Sequence, residues 1–209
     1  RQIELSNLAI NEIVKKPVKI KPKAPFITST LQQSASTRLG FNVKRTMRVA
    51  QKLYEGGLIT YMRTDAPSLS KDSINEARKF VSENIGENYL TNSPRIYSGS
   101  ENAQEAHEAI RPTNSFLRPK DVMNLSEEEL KLYTLIWERF IASQLPDAEY
   151  LSTSAKIYVE DKTFVARGRE LVFDGFTKIL KTSSKDEDIL PSLQENQLIT
   201  TDSIELEQK

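Results

Sequence analysis

The sequence contains no cysteine, which excludes disulfides, thiolate zinc sites and thiol catalysis together. It contains one histidine, His107, so no site requiring two imidazoles can form. No apolar run approaches the roughly 20 residues needed to cross a bilayer, and no secretory leader pattern stands at its start. Net charge is also lacking, with 29 basic residues against 29 acidic, which by itself argues against a dedicated polyanion binder. What is present is 209 residues, 38% hydrophobic and 28% charged. That is enough chain to bury a core as one large domain or two small ones. With arginine at position 1 instead of methionine, the expectation is a cytoplasmic protein and a segment excised from a longer one, with no membrane partner.

The neutral average hides an asymmetry. Ten lysines and arginines lie between Ile13 and Tyr54 with no acid among those 42 residues, so residues 55–209 hold 18 bases against 27 acids. A basic block inside a neutral chain polarises its field and attracts polyanions over about a Debye length.

Proline at 17, 22 and 25 forbids a helix there and favours a strand edge or linker. The hydroxyls of Thr28-Ser29-Thr30, with Gln32 and Gln33 at capping-box spacing, predict a helix that stops at Gly40. Asn42 then caps a second helix to Tyr54, with Val43, Met47, Ala50 and Tyr54 expected on its buried face and Lys44, Arg48 and Lys52 as a basic stripe. Gly56-Gly57 ends it and Leu58–Tyr61 reads as extended. Helix, tight turn, basic helix and extended segment together outline a helix-turn-helix or winged-helix module. Ser70 predicts a helix over 71–84, Ala103–Ile110 is helix-compatible, and Ser126-x-x-Glu129 predicts a helix to Ser143 with Leu130, Tyr133, Ile136 or Trp137, and Phe140 inward. After Pro146 the period changes to alternation, predicting strands at 155–159, 164–166, 171–173 and 197–206. The expected fold class is α+β multidomain, an all-α helical domain of winged-helix character over 23–146 inserted into a β-rich domain whose arms are 1–22 and 147–209.

The most unusual stretch is Gly56-Gly57-Leu58-Ile59-Thr60-Tyr61-Met62-Arg63-Thr64-Asp65. A phenol ionises near 10 and is a poor nucleophile at neutral pH, but a fixed cation favours the phenolate and can bind charge growing on a phosphate under attack. On an extended chain Tyr61 and Arg63 share a face, so a nucleophile and a phosphate clamp can converge on one phosphodiester. A half-buried tyrosine beside a surface arginine is the plainer alternative. A helical turn would likewise make His107 and Arg111 i, i+4 neighbours with two donors for a phosphate; a surface histidine balanced by Glu108 is the alternative there. Lys44, Arg45 and Arg48 on the basic helix are candidate nucleic-acid contacts, or simply a solvated face.

Three ungapped stretches then matter together: Pro25-Phe26-Ile27-Thr28-Ser29-Thr30-Leu31-Gln32-Gln33, Gly57–Asp65, and Gln104-Glu105-Ala106-His107-Glu108-Ala109-Ile110-Arg111-Pro112-Thr113. In this order they closely resemble the motifs of the type IA DNA topoisomerases, and Met62 after the tyrosine resembles the bacterial topoisomerase I branch, where related branches usually carry proline.

The resemblance implies that Tyr61 attacks one DNA strand and becomes joined to its 5′-phosphate, that another strand passes through the gap, and that the 3′-hydroxyl reseals it without ATP. It implies Arg63 at the scissile phosphate and His107 with Arg111 on the single strand. It further implies relaxation of negatively supercoiled duplex DNA by a monomeric, nucleoid-associated enzyme, and a β-rich arch acting as hinge. It also implies magnesium held by a separate toprim domain with an Asp-x-Asp-x-Glu pattern; no such pattern occurs here, so the metal ligands are expected outside this chain and the fragment alone is expected to be inactive. Ala66 stands where the family usually has a hydroxyl residue. A non-catalytic winged-helix DNA-binding module predicts duplex binding indifferent to Tyr61→Phe, and a structural docking module predicts no salt-sensitive DNA affinity.

Overall fold

A computed structural model describes residues 8–98, 108–159, 162–180, 190 and 193–199. The fold is mixed α and β, with four α-helices and antiparallel strand pairs among the described residues. The chain divides into two compact units, one of Arg1–Ile20, Glu149–Phe173 and Ser183–Lys209, the other of Lys21–Ala148 and Asp174–Thr182. No described helix is long and apolar enough to cross a membrane.

In the first unit β1 (Leu8–Ala9) pairs antiparallel with β5 (Leu198–Ile199), and β2 (Glu12–Ile20), β3 (Ala148–Val159) and β4 (Lys162–Phe173) form a sheet in that order. Pro17 lies in β2, an outer strand of the sheet, where a missing N–H need not break a ladder. Glu12 accepts from Lys156 Nζ at 3.0 Å and from Tyr158 Oη at 2.8 Å, tying β2 to β3. The two separate strands expected within 164–173 are one, because β3 offers an unbroken antiparallel partner from Val159 opposite Lys162 to Tyr150 opposite Leu171, and Gly168 pairs with Thr153 within it. Of the expected strand at 197–206, residues 197–199 lie in the described part, and 198–199 are strand.

In the second unit α1 (Thr28–Leu39), α2 (Val43–Glu55) and α3 (Lys71–Asn84) pack on α4 (Glu127–Ser143), which buries Leu132, Tyr133, Ile136, Phe140 and Ile141. Local chemistry sets the ends. Asn42 accepts from the Arg45 amide, Ser70 from that of Ser73, and Ser126 and Glu129 complete a reciprocal capping box. Gly40, at φ +67°, closes α1 in the left-handed region. At the start of α1 it is Thr30 that reaches back, its Oγ1 accepting from the Ile27 amide at 3.0 Å.

Three expectations need correction. The buried face of α2 is Thr46, Val49, Ala50 and Leu53, while Val43 and Tyr54 are exposed. Thr46 can be buried because its hydroxyl donates to the Asn42 carbonyl at 3.0 Å, so no polar atom is stranded. Leu130 is exposed, one turn from the capped end of α4. The helix expected to reach Ile110 is absent over its described part: 108–113 is extended, bridging Phe26 through Ile110 and Ile59 through Pro112. Pro112 biases Arg111 away from the helical region, and the paired backbone groups replace the helical ladder.

Candidate active site

The site grows from the end of α2. Gly57, at φ +71°, lets the chain reverse: its amide donates to the Tyr54 carbonyl at 2.8 Å and the Leu58 amide to that of Leu53 at 2.9 Å. These are the two bonds of a Schellman motif, which favours glycine at the left-handed position. The chain then runs as an extended strap in which Tyr61, Arg63 and Asp65 are exposed and Met62, Thr64 and Ala66 are buried. This is the two-residue period of an extended chain, and it puts the phenol, the guanidinium and the carboxylate on one open face. Ala66 packs into the interior at 2% exposure.

Two threonines hold the strap. Upstream of the tyrosine, the Thr60 amide donates to the Arg111 carbonyl at 2.9 Å, and Thr60 Oγ1 accepts from the Arg111 amide at 3.0 Å while donating to the Ala109 carbonyl at 2.7 Å. Downstream, Thr28 Oγ1 donates to the Met62 carbonyl at 2.7 Å and accepts from the Thr64 amide at 2.9 Å, and the Thr28 amide donates to the Thr64 carbonyl at 2.9 Å. The backbone on both sides of Tyr61 is therefore fixed to other segments of the same unit. The Tyr61 ring is 49% exposed and lies edge-on to that of Tyr54, with centroids 5.2 Å apart at 67°. Among the described residues neither Arg63 nor Asp65 has an ion-pair partner.

Arg111 sits beside this strap but is committed. Its guanidinium donates to Glu108 at 2.8 Å and to the Pro112 carbonyl at 3.0 Å, and its Nε is buried without a partner. Burial works to raise the Glu108 carboxyl, but the Ser70 amide bond at 2.6 Å and the Arg111 guanidinium outweigh it and hold the group below the usual carboxylate range. Arg111 thus belongs to an Arg111–Glu108–Ser70 chain in extended backbone. His107 itself lies outside the described residues.

The basic stripe of α2 faces an acidic helix start. Arg45 donates to Glu128 Oε1 through Nε at 3.0 Å and through a terminal nitrogen at 2.6 Å, Arg48 reaches Glu128 Oε2 at 3.2 Å, and Lys52 lies 3.5 Å from Glu129. The Arg45 guanidinium also covers the Phe41 ring at 4.1 Å. The hydrogen bond from Arg45 is the chief reason the Glu128 carboxyl is held low. Lys44 is exposed and, among the described residues, has no ion-pair partner. The acids Glu127-Glu128-Glu129 were legible as a capped helix start; that they meet α2 was not, since the pairs span about 80 residues.

No three side chains of His, Cys, Asp or Glu gather closely enough among the described residues to hold a metal ion.

The family model described as DNA topoisomerase matches residues 1–209. The chain is 47% identical over 193 residues to DNA topoisomerase 1 of Haemophilus influenzae, covering 91% of this chain and 22% of that protein. It is 49% identical over 187 residues to DNA topoisomerase 1 of Escherichia coli, covering 89% and 22%. The solved structure of full-length topoisomerase I from Thermotoga maritima matches it with a TM-score of 0.80 at 36% identity, over 94% of this chain and 33% of that one. The chain thus spans about 22% of the length of those two curated relatives.

Proposed function

This chain belongs to the DNA topoisomerase family, and on that premise we propose that it is the tyrosine-bearing segment of a type IA enzyme that relaxes negatively supercoiled DNA without ATP. One observation carries the proposal: an exposed phenol on a strap whose backbone is tied down on both sides, with a guanidinium on the same open face.

In the proposed reaction Tyr61 Oη attacks a strand phosphorus, the Oη–P bond forms as the P–O3′ bond breaks, the phenol gives up its proton and the 3′-oxygen gains one. The ester energy is retained in the phosphotyrosine, so the 3′-hydroxyl can reseal the strand by the reverse displacement after another strand has passed. Arg63 would sit against the phosphate, favouring the phenolate and the charge that develops on the phosphoryl oxygens. The strap supplies pre-organisation, since a reacting atom held near its attack position saves orientational entropy. His107 is proposed to contact the single strand, and Lys44 the strand's phosphates. Arg111, Arg45 and Arg48 would join only by exchanging a carboxylate for a phosphate.

We further propose the chain order of a helical domain, 23–146, inserted between arch pieces 1–22 and 147–209, with α1, the turn at Gly40 and α2 as its winged-helix-like part. Magnesium is proposed to be held by a toprim domain of the same polypeptide, in a monomeric enzyme acting on single-stranded and negatively supercoiled DNA. The test is relaxation of supercoiled plasmid with magnesium. The full-length protein should relax it, its Tyr61→Phe variant should not, and the 209-residue chain alone should be inactive. Relaxation by Tyr61→Phe at the unmodified rate would overturn the proposal.

A further inference from the structure

Resting on that reading of Tyr61, we infer that Tyr54 is a positioning residue whose ring holds the Tyr61 phenol in its attacking rotamer. The threonine bonds fix the backbone at positions 60, 62 and 64, which leaves only the side-chain torsions of Tyr61 to be set. The core does not set them, because the ring is half exposed, and exposed side chains hop among staggered wells within nanoseconds. No hydrogen bond to a described residue sets them either: among the described residues neither the Tyr61 nor the Tyr54 hydroxyl has a partner.

The ring contact is what remains. At 5.2 Å and 67° the two rings stand in the edge-to-face arrangement that their opposed edge and face charges favour. Tyr54 is carried on a fixed stretch of backbone, and each of the two rings limits the other. Tyr54 occupies the last turn of α2, which the bonds from Gly57 and Leu58 close, and its neighbour Leu53 is buried at 1% exposure. The Gly56-Gly57 reversal brings a residue seven positions upstream beside the nucleophile. The rotation that leaves Tyr54 off the buried face of α2 is what makes it available.

The test uses the full-length enzyme with Tyr54→Leu and Tyr54→Phe. Single-turnover formation of the covalent adduct on a single-stranded oligonucleotide is measured with magnesium, alongside non-covalent Kd for the same oligonucleotide in a Tyr61→Phe background. Tyr54→Leu should slow adduct formation roughly threefold to tenfold, the range of an aromatic pair contact, and leave Kd unchanged. Tyr54→Phe, which keeps the ring, should rescue most of the loss. An unchanged rate in Tyr54→Leu overturns the inference. A Kd that weakens in step with the rate also overturns it, making Tyr54 a strand contact or a folding residue. An adduct that persists in Tyr61→Phe removes the nucleophile itself, and the positioning role with it.

Discussion

Thr28 and Thr64 are bound to each other through backbone and side chain: the Thr28 amide donates to the Thr64 carbonyl at 2.9 Å, the Thr64 amide donates to Thr28 Oγ1 at 2.9 Å, and that hydroxyl also lies 3.1 Å from the Thr64 carbonyl. The same hydroxyl donates to the Met62 carbonyl at 2.7 Å. One side chain at the start of α1 thereby fixes two backbone positions immediately after the tyrosine. Thr28→Val would leave the Thr64 amide and the Met62 carbonyl unpaired, at a cost of about 1–3 kcal/mol. Urea unfolding should show that loss, Thr28→Ser should recover most of it, and Thr28→Val should slow adduct formation. A variant as stable as the parent would show that the strap is not held by this hydroxyl.

The Glu108–Arg111 pair should appear in the acid limb of the stability curve. A carboxyl whose folded value lies below its unfolded one adds stability that is present above the unfolded value, about 4.3, and lost as pH falls through the folded value. Glu108 is such a group. Glu108→Gln should therefore be less stable than the parent at neutral pH, and the gap should close as pH falls below about 4. Stability measured at neutral and acid pH checks this; a pH-independent gap would mean that the charge of Glu108 is not what matters.

Much of this was legible where the chemistry is local. Asn42, Ser70 and the Ser126–Glu129 box act on amides three residues away, and Gly40 acts at its own position, so helix ends follow from neighbouring residues. The shared face of Tyr61 and Arg63 follows from extended geometry alone. What was not legible depends on distant partners. Ala103–Ile110 is helix-compatible in composition, and the described end of that stretch is extended because distant segments, Phe26, Ile59 and Thr60 among them, pair with its backbone. The buried face of α2 depends on its packing against α4 and α1, which turns Thr46, Val49 and Leu53 inward and leaves Val43 and Tyr54 outside. Thr60 was visible as a hydroxyl beside the tyrosine, but its partners lie about 50 residues on.

Glu128 occupies the two arginines most suited to phosphate. Removing its charge with Glu128→Gln should free Arg45 and Arg48, raise single-strand affinity a few-fold, and steepen the fall of log affinity with log salt by about 0.7 for each phosphate newly bound. Fluorescence anisotropy over a salt series, in a Tyr61→Phe background, checks it. An unchanged slope would assign the stripe to α2–α4 packing alone.

Arg139 on α4 is buried, has no carboxylate partner among the described residues, and has an unpartnered Nε. It rests on the Phe26 ring at 4.4 Å and on the Ala24 carbonyl at a long 3.4 Å. Burial, with Arg38 adding repulsion, pushes its guanidinium down to about 10. A charge so poorly compensated is replaceable, so Arg139→Met should be neutral or up to about 2 kcal/mol more stable. Chemical denaturation checks this, and a loss above about 1 kcal/mol would mean that the contact with Phe26 outweighs the desolvation.

On the proposed reaction the Tyr61 oxygen becomes bonded to DNA. The most direct measurement is to trap the full-length enzyme on a 3′-labelled single-stranded oligonucleotide with magnesium and denaturant, digest with trypsin, and fragment the labelled peptide. Cleavage after Lys52 and Arg63 yields one peptide containing both Tyr54 and Tyr61, so the fragment masses must separate them. The phosphonucleotide should be found on Tyr61; its presence on Tyr54, on any other residue, or on none would contradict the proposed reaction.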